Sequence, residues 1–281
     1  MLQIPNFDIK NHRLIQENGK PVTYRASPNR GSKLTPQYLV MHYTAGRDAA
    51  SSISWLTNPA SRASAHLVIG RDGEITQLVP FNRKAWHAGR SEWNGLVGLN
   101  HHAIGIELDN AGRLTRRASG WYTWFGHLYP EGEVVEATHK NEDEPAGWHT
   151  FPEVQLLTAI GAASAIMQHY ELLDVVGHDD VSPIRKSDPG PAFPMTSFRS
   201  RVIGRNEEDE LKFVTTGNLN IRYGPGVSFD TLPGSPLPEG TQVLVLHSNS
   251  GWQYVEVLEE LEHEGCGLRG WVSGRFLERV S

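Results

Sequence analysis

Residues 175–190 read VVGHDDVSPIRKSDPG and combine a histidine, a lysine and an aspartate in one short segment. Its prolines and glycines are typical of a surface loop. Alternatively, His178 and Asp188 could bind a metal ion together, with Lys186 beside them. A catalytic zinc ion has three protein ligands and keeps a fourth position for water. This hypothesis therefore requires a third ligand from elsewhere in the chain.

The third ligand should come from a rigid, buried element. His42 lies within YLVMHYTA (38–45), a nearly continuous apolar run that is typical of a strand buried on both faces. A histidine there is either a core residue with satisfied hydrogen bonds or a ligand, and spacing alone favours the core residue. His66 before LVIG, and His101 and His102 before AIGIE, are the other candidates.

Glu107 is a carboxylate within AIGIELDN, an otherwise apolar strand. Burying a charge of this kind costs several kcal/mol unless the group is paired or has a function. The side chain either forms a salt bridge at the strand end or takes the proton from an attacking water as a general base.

The elements around these residues predict an α/β domain with a mixed central β-sheet flanked by helices. We expect a helix at AASSISWL (49–56), a hairpin at 66–80 around Asp72-Gly73, and a strand at 102–112. A longer helix should begin at Thr150 with a capping box, which pairs Thr150 with Glu153. Residues 113–149 form an aromatic insertion that reads as a hairpin or a small lobe.

The motifs YLVMHYTA, SAHLVIGRDGEITQLVP, KAWHAG, AIGIELDN and GHDDVSPIRKSDPGPAF occur in this order. Together they resemble the zinc-dependent N-acetylmuramoyl-L-alanine amidases, which share their fold with animal peptidoglycan recognition proteins and certain phage lysozymes. The resemblance covers roughly residues 35–195 apart from the insertion. It implies that zinc is bound by His42, His178 and Asp188, that Glu107 is the general base, and that Lys186 stabilises the oxyanion.

The same motifs also suggest supporting roles for residues around the site. Trp86 and His87 in KAWHAG are expected to line the groove for the sugar and peptide, although a packing Trp and a surface His are the alternative. We expect His66 to support the site without binding zinc. Asp179 and Asp180 are expected to be solvated neighbours of His178.

A second domain is predicted from the change of pattern near residue 200. The domains are then a zinc amidase catalytic domain (1–195), a polar linker (196–210) and an all-β module (211–281). The module resembles a bacterial SH3-like barrel, a family that commonly binds cell-wall peptide. Its candidate binding residues are Asn220, Arg222, Tyr223, Trp252 and Trp271, of which the two tryptophans could equally belong to the core.

The resemblance implies a peptidoglycan hydrolase that cleaves the amide between N-acetylmuramic acid and the L-alanine of the stem peptide. A wall-binding module favours a cell-wall lytic role, like that of a phage endolysin or a secreted effector. The alternatives are a cytosolic recycling amidase that acts on anhydro-muropeptides, and a recognition protein that binds peptidoglycan without cutting it. We expect peptidoglycan or muropeptides as partners and a monomeric protein.

Composition excludes several other classes. The formal net charge is −6 and Lys and Arg form no block, so nucleic-acid binding is not expected. One cysteine permits no internal disulfide. No apolar run suits a membrane span. The N-terminus lacks a standard secretory signal. We therefore expect synthesis in the cytoplasm and action on the wall after non-classical release, with a cytoplasmic location as the alternative.

Overall fold

The computed structural model describes residues 3–203, 212–249, 251–258 and 268–280. These residues divide into two compact units, of which the first ends at Ile203. In the described part of the chain, none of the helices has both the length and the apolar character required to cross a bilayer.

The first unit contains both helices and strands. Its strands are β1 (Phe7–Lys10), β2 (Arg13–Gln16), β3 (Thr23–Tyr24), β4 (Arg30–Lys33), β5 (Tyr38–Tyr43), β6 (Leu67–Ile69), β7 (Ile75–Gln77), β8 (Arg83–Ala85), β9 (Glu92–Trp93), β10 (Leu96–Val97), β11 (Ala103–Leu108), β12 (Arg113–Arg117), β13 (Gly120–Tyr122), β14 (Leu128–Tyr129), β15 (Val134–Thr138), β16 (Pro145–His149) and β17 (Asp174–Gly177). Its α-helices are α1 (Ala49–Leu56), α2 (Glu153–Tyr170), α3 (His178–Val181) and α4 (Met195–Ile203).

The central sheet has six strands in the order β17-β5-β11-β6-β7-β3. Strands β17, β5, β11 and β6 run parallel, whereas β7 is antiparallel to β6. The predicted mixed sheet flanked by helices is therefore confirmed. Because parallel strands end at the same edge of a sheet, residues that follow β5, β11 and β17 are brought together there.

Side chains alternate between the two faces of the central sheet, and other parts of the first unit pack against both faces. Leu39 and Met41 of β5 pack in the large core with residues of α2 and α4. Tyr38 and Val40 point to the opposite face, where they pack against Ala88 and other residues of the 88–103 segment. His42 follows the alternation of Val40 and therefore lies on this second face.

The predicted local elements are confirmed with one exception. Helix α1 spans 49–56, and β6 and β7 form the predicted hairpin, with Gly73 of its turn at φ +84°. The predicted capping box at Thr150 is wrong, because α2 begins at Glu153 with Pro152 as its N-cap and without a capping side chain. The Thr150 hydroxyl instead donates to the carbonyl of Glu133 in the insertion.

The stretch predicted as a linker, 196–210, is helical at its start. Residues 196–203 belong to α4, and Phe198 and Val202 are buried in the large core. Two apolar residues four positions apart share one face of a helix, so these side chains anchor α4 despite its polar composition. The linker prediction is wrong for this part, and residues 204–210 lie outside the described residues.

The insertion 113–149 is a lobe with a sheet of its own. Strands β12 to β16 form an antiparallel five-stranded sheet in the order β14-β13-β12-β16-β15. Trp121 and Trp148 are buried in it. The predicted lobe is confirmed, and Trp121 packs in its core with Leu114, whereas Trp124 is 78% exposed.

The second unit is an all-β structure. Its strands are β18 (Lys212–Thr215), β19 (Gln242–Asn249), β20 (Trp252–Val257), β21 (Arg269–Ser273) and β22 (Leu277–Arg279). They form an antiparallel sheet in the order β21-β20-β19-β18-β22, and the described residues of this unit include a core of buried aliphatic side chains, among them Ile221 and Val255. Trp252 and Trp271 are half-buried, whereas Tyr223 is 66% exposed.

Candidate active site and metal centre

Three of the predicted site residues form a row across the edge of the central sheet. His42 of β5 pairs directly with Glu107 of β11 in parallel register. Strand β17 ends at Gly177, which pairs with Met41, so His178 follows beside His42. Directly paired residues of neighbouring strands point to the same face, which aligns His178, His42 and Glu107.

Asp188 completes a cluster of three potential metal ligands. The Nδ1 atoms of His42 and His178 lie 2.9 Å apart, and Asp188 Oδ2 is 2.8 Å from the first and 2.9 Å from the second. All three residues are buried. An N–H group can point at only one corner of such a triangle, so hydrogen bonds cannot satisfy every pair. A single cation would satisfy all three atoms, which therefore fit a metal ion with two imidazole ligands and one carboxylate ligand.

The electrostatics of the cluster favour the protonation states that metal ligands require. Burial, followed by the charge of His178, lowers the pKa of His42 to about 4. Burial alone would raise the pKa of Asp188, but the adjacent imidazoles of His178 and His42 hold that pKa well below its ordinary value. At neutral pH the His42 imidazole is therefore neutral and the Asp188 carboxyl is ionised, so both have lone pairs available for a cation.

Hydrogen bonds on the far side of each ring fix the tautomers of both histidines. His178 Nε2 lies 3.2 Å from the carbonyl of Ala88, to which it can only donate. His87 Nε2 likewise donates to the carbonyl of Ala103 at 3.2 Å, which leaves His87 Nδ1 as an acceptor for His42 Nε2 at 3.0 Å. In both histidines Nδ1 is consequently the unprotonated nitrogen and faces the cluster.

His87 is half-buried, and its predicted contact with the substrate groove stays a prediction. Both of its ring nitrogens are engaged inside the protein, and burial holds its pKa well below the ordinary value. Trp86 is half-buried and its backbone N–H donates to the Ser64 hydroxyl. A substrate contact by the Trp86 indole stays a prediction. The motif placed His87 near the site, but only the structure reveals that it orients His42.

Gly105 makes room for this arrangement. A Cβ atom at this position would lie 2.5 Å from Cγ and Nδ1 of the His87 ring. We expect Gly105→Ala to displace the ring, to break its hydrogen bond with His42 and to weaken metal affinity by about 10- to 100-fold, as loss of an outer partner commonly does. Competition with a chromophoric chelator measures this affinity.

The matched control for this substitution is Gly132→Ala in the lobe. A Cβ atom there would meet nothing within 4 Å, and no positive φ restricts the backbone. Its metal affinity should equal that of the parent protein. Equal affinity in the Gly105→Ala protein would contradict the orienting role of His87.

Glu107 of β11 is the residue paired directly with His42 of β5. Its Oε2 is buried and has no hydrogen-bond partner among the described residues. Burial, together with the negative charge of Asp188, raises the pKa of Glu107 well above its ordinary value, and the charge of Lys186 opposes this effect. A carboxyl group with a raised pKa, left without a partner, is suited to accept and return a proton.

Lys186 lies within electrostatic reach of the cluster. Its charge lowers the pKa values of both Glu107 and His42. Its side chain is half-buried, and Nζ makes no hydrogen bond or ion pair with any of the residues that the structure describes. This cation is therefore available for an oxygen of a bound molecule.

His66 is fully buried and lies outside the ligand cluster. Its Nε2 donates to the carbonyl of Arg83 at 2.9 Å, and its Nδ1 accepts from the Gly105 backbone at 3.0 Å. Burial lowers the pKa of His66 to about 4. The ring therefore ties β8 to β11 as a neutral group, in agreement with a supporting role. His101 is exposed.

The expectation that Asp179 and Asp180 are solvated is wrong for Asp179, which is 4% exposed. Its carboxylate accepts from His139 Nε2 at 3.0 Å and from Lys140 Nζ at 2.9 Å. Both partners belong to the lobe, so sequence reasoning confined to the loop could not identify them. Asp180 is partly exposed and also accepts from Lys140.

A second buried carboxyl group, Asp109, makes stability depend on pH. Burial raises the pKa of Asp109 from its ordinary value near 4 to about 6. Below pH 4 the group is protonated in the folded and unfolded states alike. Above pH 6 it is charged in both states and the folded state bears the cost of burial, so stability falls as pH rises between these values.

We therefore expect Asp109→Asn to stabilise the protein at pH 7.5 by about 1–2 kcal/mol, with a gain of a few degrees in Tm. The gain should shrink as the pH falls from 6 to 4. Thermal unfolding of both proteins across this range measures it. A difference that does not vary with pH would contradict the raised pKa.

Comparison with known proteins identifies a family whose match spans the candidate site. The profile of the N-acetylmuramoyl-L-alanine amidase family matches residues 32–191, which include every ligand candidate as well as Glu107 and Lys186. N-acetylmuramoyl-L-alanine amidase AmiD of Escherichia coli K12 is 34% identical over 218 residues, 69% of this chain and 68% of AmiD.

A second relative and a solved structure are also similar to this chain. The 1,6-anhydro-N-acetylmuramyl-L-alanine amidase AmpD of E. coli K12 is 34% identical over 141 residues, which are 50% of this chain and 59% of AmpD. The solved complex of E. coli AmiD with anhydro-N-acetylmuramic acid-L-Ala-D-gamma-Glu-L-Lys aligns with a TM-score of 0.47 and 28% identity, over 72% of this chain and 66% of that one.

The family profile covers more than half of the chain, and the similarity to AmiD extends over about two thirds of both proteins. The chain therefore belongs to the N-acetylmuramoyl-L-alanine amidase family and is an amidase.

Proposed function

We propose that this protein hydrolyses the amide between the lactyl group of N-acetylmuramic acid and the L-alanine of the stem peptide, with zinc as its metal. The observation that carries the proposal is the convergence of two imidazole nitrogens and one carboxylate oxygen beside the unpartnered Glu107. The names of AmiD and AmpD, both amidases of this bond, support the substrate class.

His42, His178 and Asp188 would hold the ion. When bound, zinc supplies Lewis acidity that activates water and polarises a carbonyl. Glu107 accepts the proton of the attacking water and transfers it to the leaving nitrogen. The water oxygen bonds to the carbonyl carbon, the C–N bond breaks, and a carboxylate and an amine are the products. The raised pKa of Glu107 makes it a strong enough base to hold the proton between these steps.

Lys186 stabilises the negative charge that develops on the carbonyl oxygen. A preorganised donor of this kind contributes about 3–4 kcal/mol to transition-state stabilisation. Because Nζ has no partner among the described residues, no existing interaction must be broken when the oxyanion forms. The presence of all three ligands together with Glu107 and Lys186 disfavours a recognition protein that only binds peptidoglycan.

The test uses the purified full chain and defined muropeptides. Mass spectrometry should detect free stem peptide and the corresponding muramic acid product. A chelator should abolish the reaction and added Zn²⁺ should restore it. Release of a different fragment, or a rate that is insensitive to the chelator, would contradict the proposal.

We further propose that the second unit is an SH3-like barrel that binds the cell wall. An antiparallel five-stranded sheet with its own aliphatic core supports this fold, and the exposed aromatic residues Tyr223, Phe229 and Phe276 support a binding role. Intact sacculi should retain the full chain in a sedimentation assay and retain less of a Tyr223→Ala variant. Trp55→Ala, which removes an exposed aromatic of the first unit, is the control.

These two proposals together favour a wall-degrading enzyme that acts outside the cytoplasm. The name of AmpD, an amidase of the 1,6-anhydro compound, supports a recycling enzyme as the second candidate. Rates on intact sacculi and on soluble anhydro-muropeptide distinguish the two. A wall-degrading enzyme should release peptide from sacculi, whereas a recycling enzyme should act on the soluble compound alone.

A further inference from the structure

The turn between β15 and β16 of the lobe lies against the loop that carries two of the metal ligands. This turn, residues 139–144, is called the lobe tip below. It contacts Asp179, which directly follows the ligand His178 in sequence. The lobe and the catalytic sheet therefore meet at the candidate metal centre.

Residues of the lobe tip, together with Asp188, form hydrogen bonds with every polar group of Asp179. Oδ2 accepts from His139 Nε2 at 3.0 Å and Oδ1 accepts from Lys140 Nζ at 2.9 Å. Its backbone carbonyl accepts from the Asn141 amide at 3.0 Å. Its backbone N–H donates to the carbonyl of the ligand Asp188 at 2.8 Å. Asp179 thus connects the lobe to both ligands that the loop supplies.

The His139 ring is itself held in one orientation. It is 2% exposed, and its Nδ1 accepts from the backbone N–H of Asn141 at 3.2 Å. The proton must therefore lie on Nε2, where it faces Asp179. The ring also stacks on Trp148, with centroids 5.5 Å apart and an interplanar angle of 29°.

Trp148 adds a second contact between the lobe and the loop. A Cβ atom on Gly190 would lie 2.8 Å from the Trp148 ring, so the ring packs directly on the backbone two residues beyond Asp188. Gly190 has φ +72°, a conformation that favours glycine. The lobe therefore holds the loop at two points, one next to each of its ligands.

The buried charge of Asp179 makes the position of the neighbouring ligands depend on the lobe. The Asp179 carboxylate is buried, and a buried charge that loses its partner is strongly destabilising. Without the lobe tip, Asp179 would have to reach water, and the neighbouring His178 would move with it. A metal ligand that shifts by a fraction of an ångström binds its ion less well.

We propose that the lobe tip is a positioning device for the metal centre, in which His139 and Lys140 hold Asp179 and thereby hold His178 and Asp188 in binding geometry. The proposal rests on the proposed function only in that the centre binds a metal ion. It assigns a role to the 113–149 insertion that does not require contact with the substrate.

The test measures metal affinity in the full-length apoprotein. We expect His139→Ala and Lys140→Ala each to weaken Zn²⁺ binding by about 10- to 100-fold, the range for loss of outer-shell partners. The d–d absorption of the Co²⁺-loaded variants should shift relative to the parent protein. His139→Gln retains an N–H donor and should recover most of the affinity.

Glu136→Ala is the matched control, because Glu136 is an exposed residue of β15 in the same lobe. Its Zn²⁺ affinity should match that of the parent protein. A double-mutant cycle with Asp179→Ala adds a further criterion. If His139 acts through Asp179, the two substitutions together should cost little more than one of them.

The proposal is overturned if Lys140→Ala binds Zn²⁺ within threefold of the parent protein and leaves the Co²⁺ spectrum unchanged. The side chain of Lys140 is 46% exposed, so this variant should fold even if His139→Ala does not. The metal titration involves no substrate. A failure of the proposed hydrolysis would therefore leave this result intact, and the reverse also holds.

Discussion

Replacement of Glu107 by glutamine is expected to lower kcat on a muropeptide by about 10²- to 10⁴-fold, the contribution typical of a general base. Glutamine has nearly the same volume but cannot accept the proton of the attacking water. Zn²⁺ affinity should stay close to that of the parent protein, because Glu107 is not a member of the ligand cluster. Steady-state kinetics and a metal titration on the same preparation measure both quantities.

Glu74→Gln is the control for this prediction. Glu74 is an exposed carboxylate at the turn of the β6–β7 hairpin, and its substitution removes the same chemical group from the first unit. Its kcat should be unchanged. A Glu107→Gln protein that retained full activity would exclude Glu107 as the base, whereas loss of metal together with activity would assign it to the ligands.

His178→Ala should remove both metal and activity. The substitution deletes one of three ligands and also one of the two imidazoles that keep the pKa of Asp188 low. Zn²⁺ affinity should fall by more than the roughly 10- to 100-fold effect of losing an outer partner. Product formation should fall to the level of a chelator-treated sample, and excess Zn²⁺ should not restore it.

His101→Ala provides the comparison, since His101 is an exposed histidine outside the ligand cluster. It should bind one Zn²⁺ with the affinity of the parent protein. If His178→Ala also kept that affinity, the three-residue cluster would not be the metal centre.

Much of the site could be predicted from local patterns in the sequence. His42 and Glu107 interrupt apolar strands, and such interruptions are conspicuous because burial of polar groups is costly. His178, Lys186 and Asp188 occur within one short segment. The parallel strands that carry them could also be recognised as buried apolar runs, and their ends then meet at one sheet edge.

The supporting contacts could not be predicted in the same way. His87 lies 45 residues from His42, and His139 lies 40 residues from Asp179. A hydrogen bond across such a separation depends on how the lobe and the segment after β8, which contains His87, fold back on the sheet. Local periodicity does not report such contacts, so the sequence predicts neither the hydrogen bond of His87 to His42 nor the burial of Asp179.

The triangle of His42, His178 and Asp188 also has a consequence for folding. His42 and His178 are 136 residues apart in the chain, and a bound ion would join them directly. A single cysteine cannot form an internal disulfide, so the ion would be the cross-link that closes this long loop. Loops of this length have a large closure entropy, and the unfolded chain does not preassemble the ligands. Metal bound for catalysis would then also stabilise the fold, and a chelator would lower the Tm as well as stop the reaction.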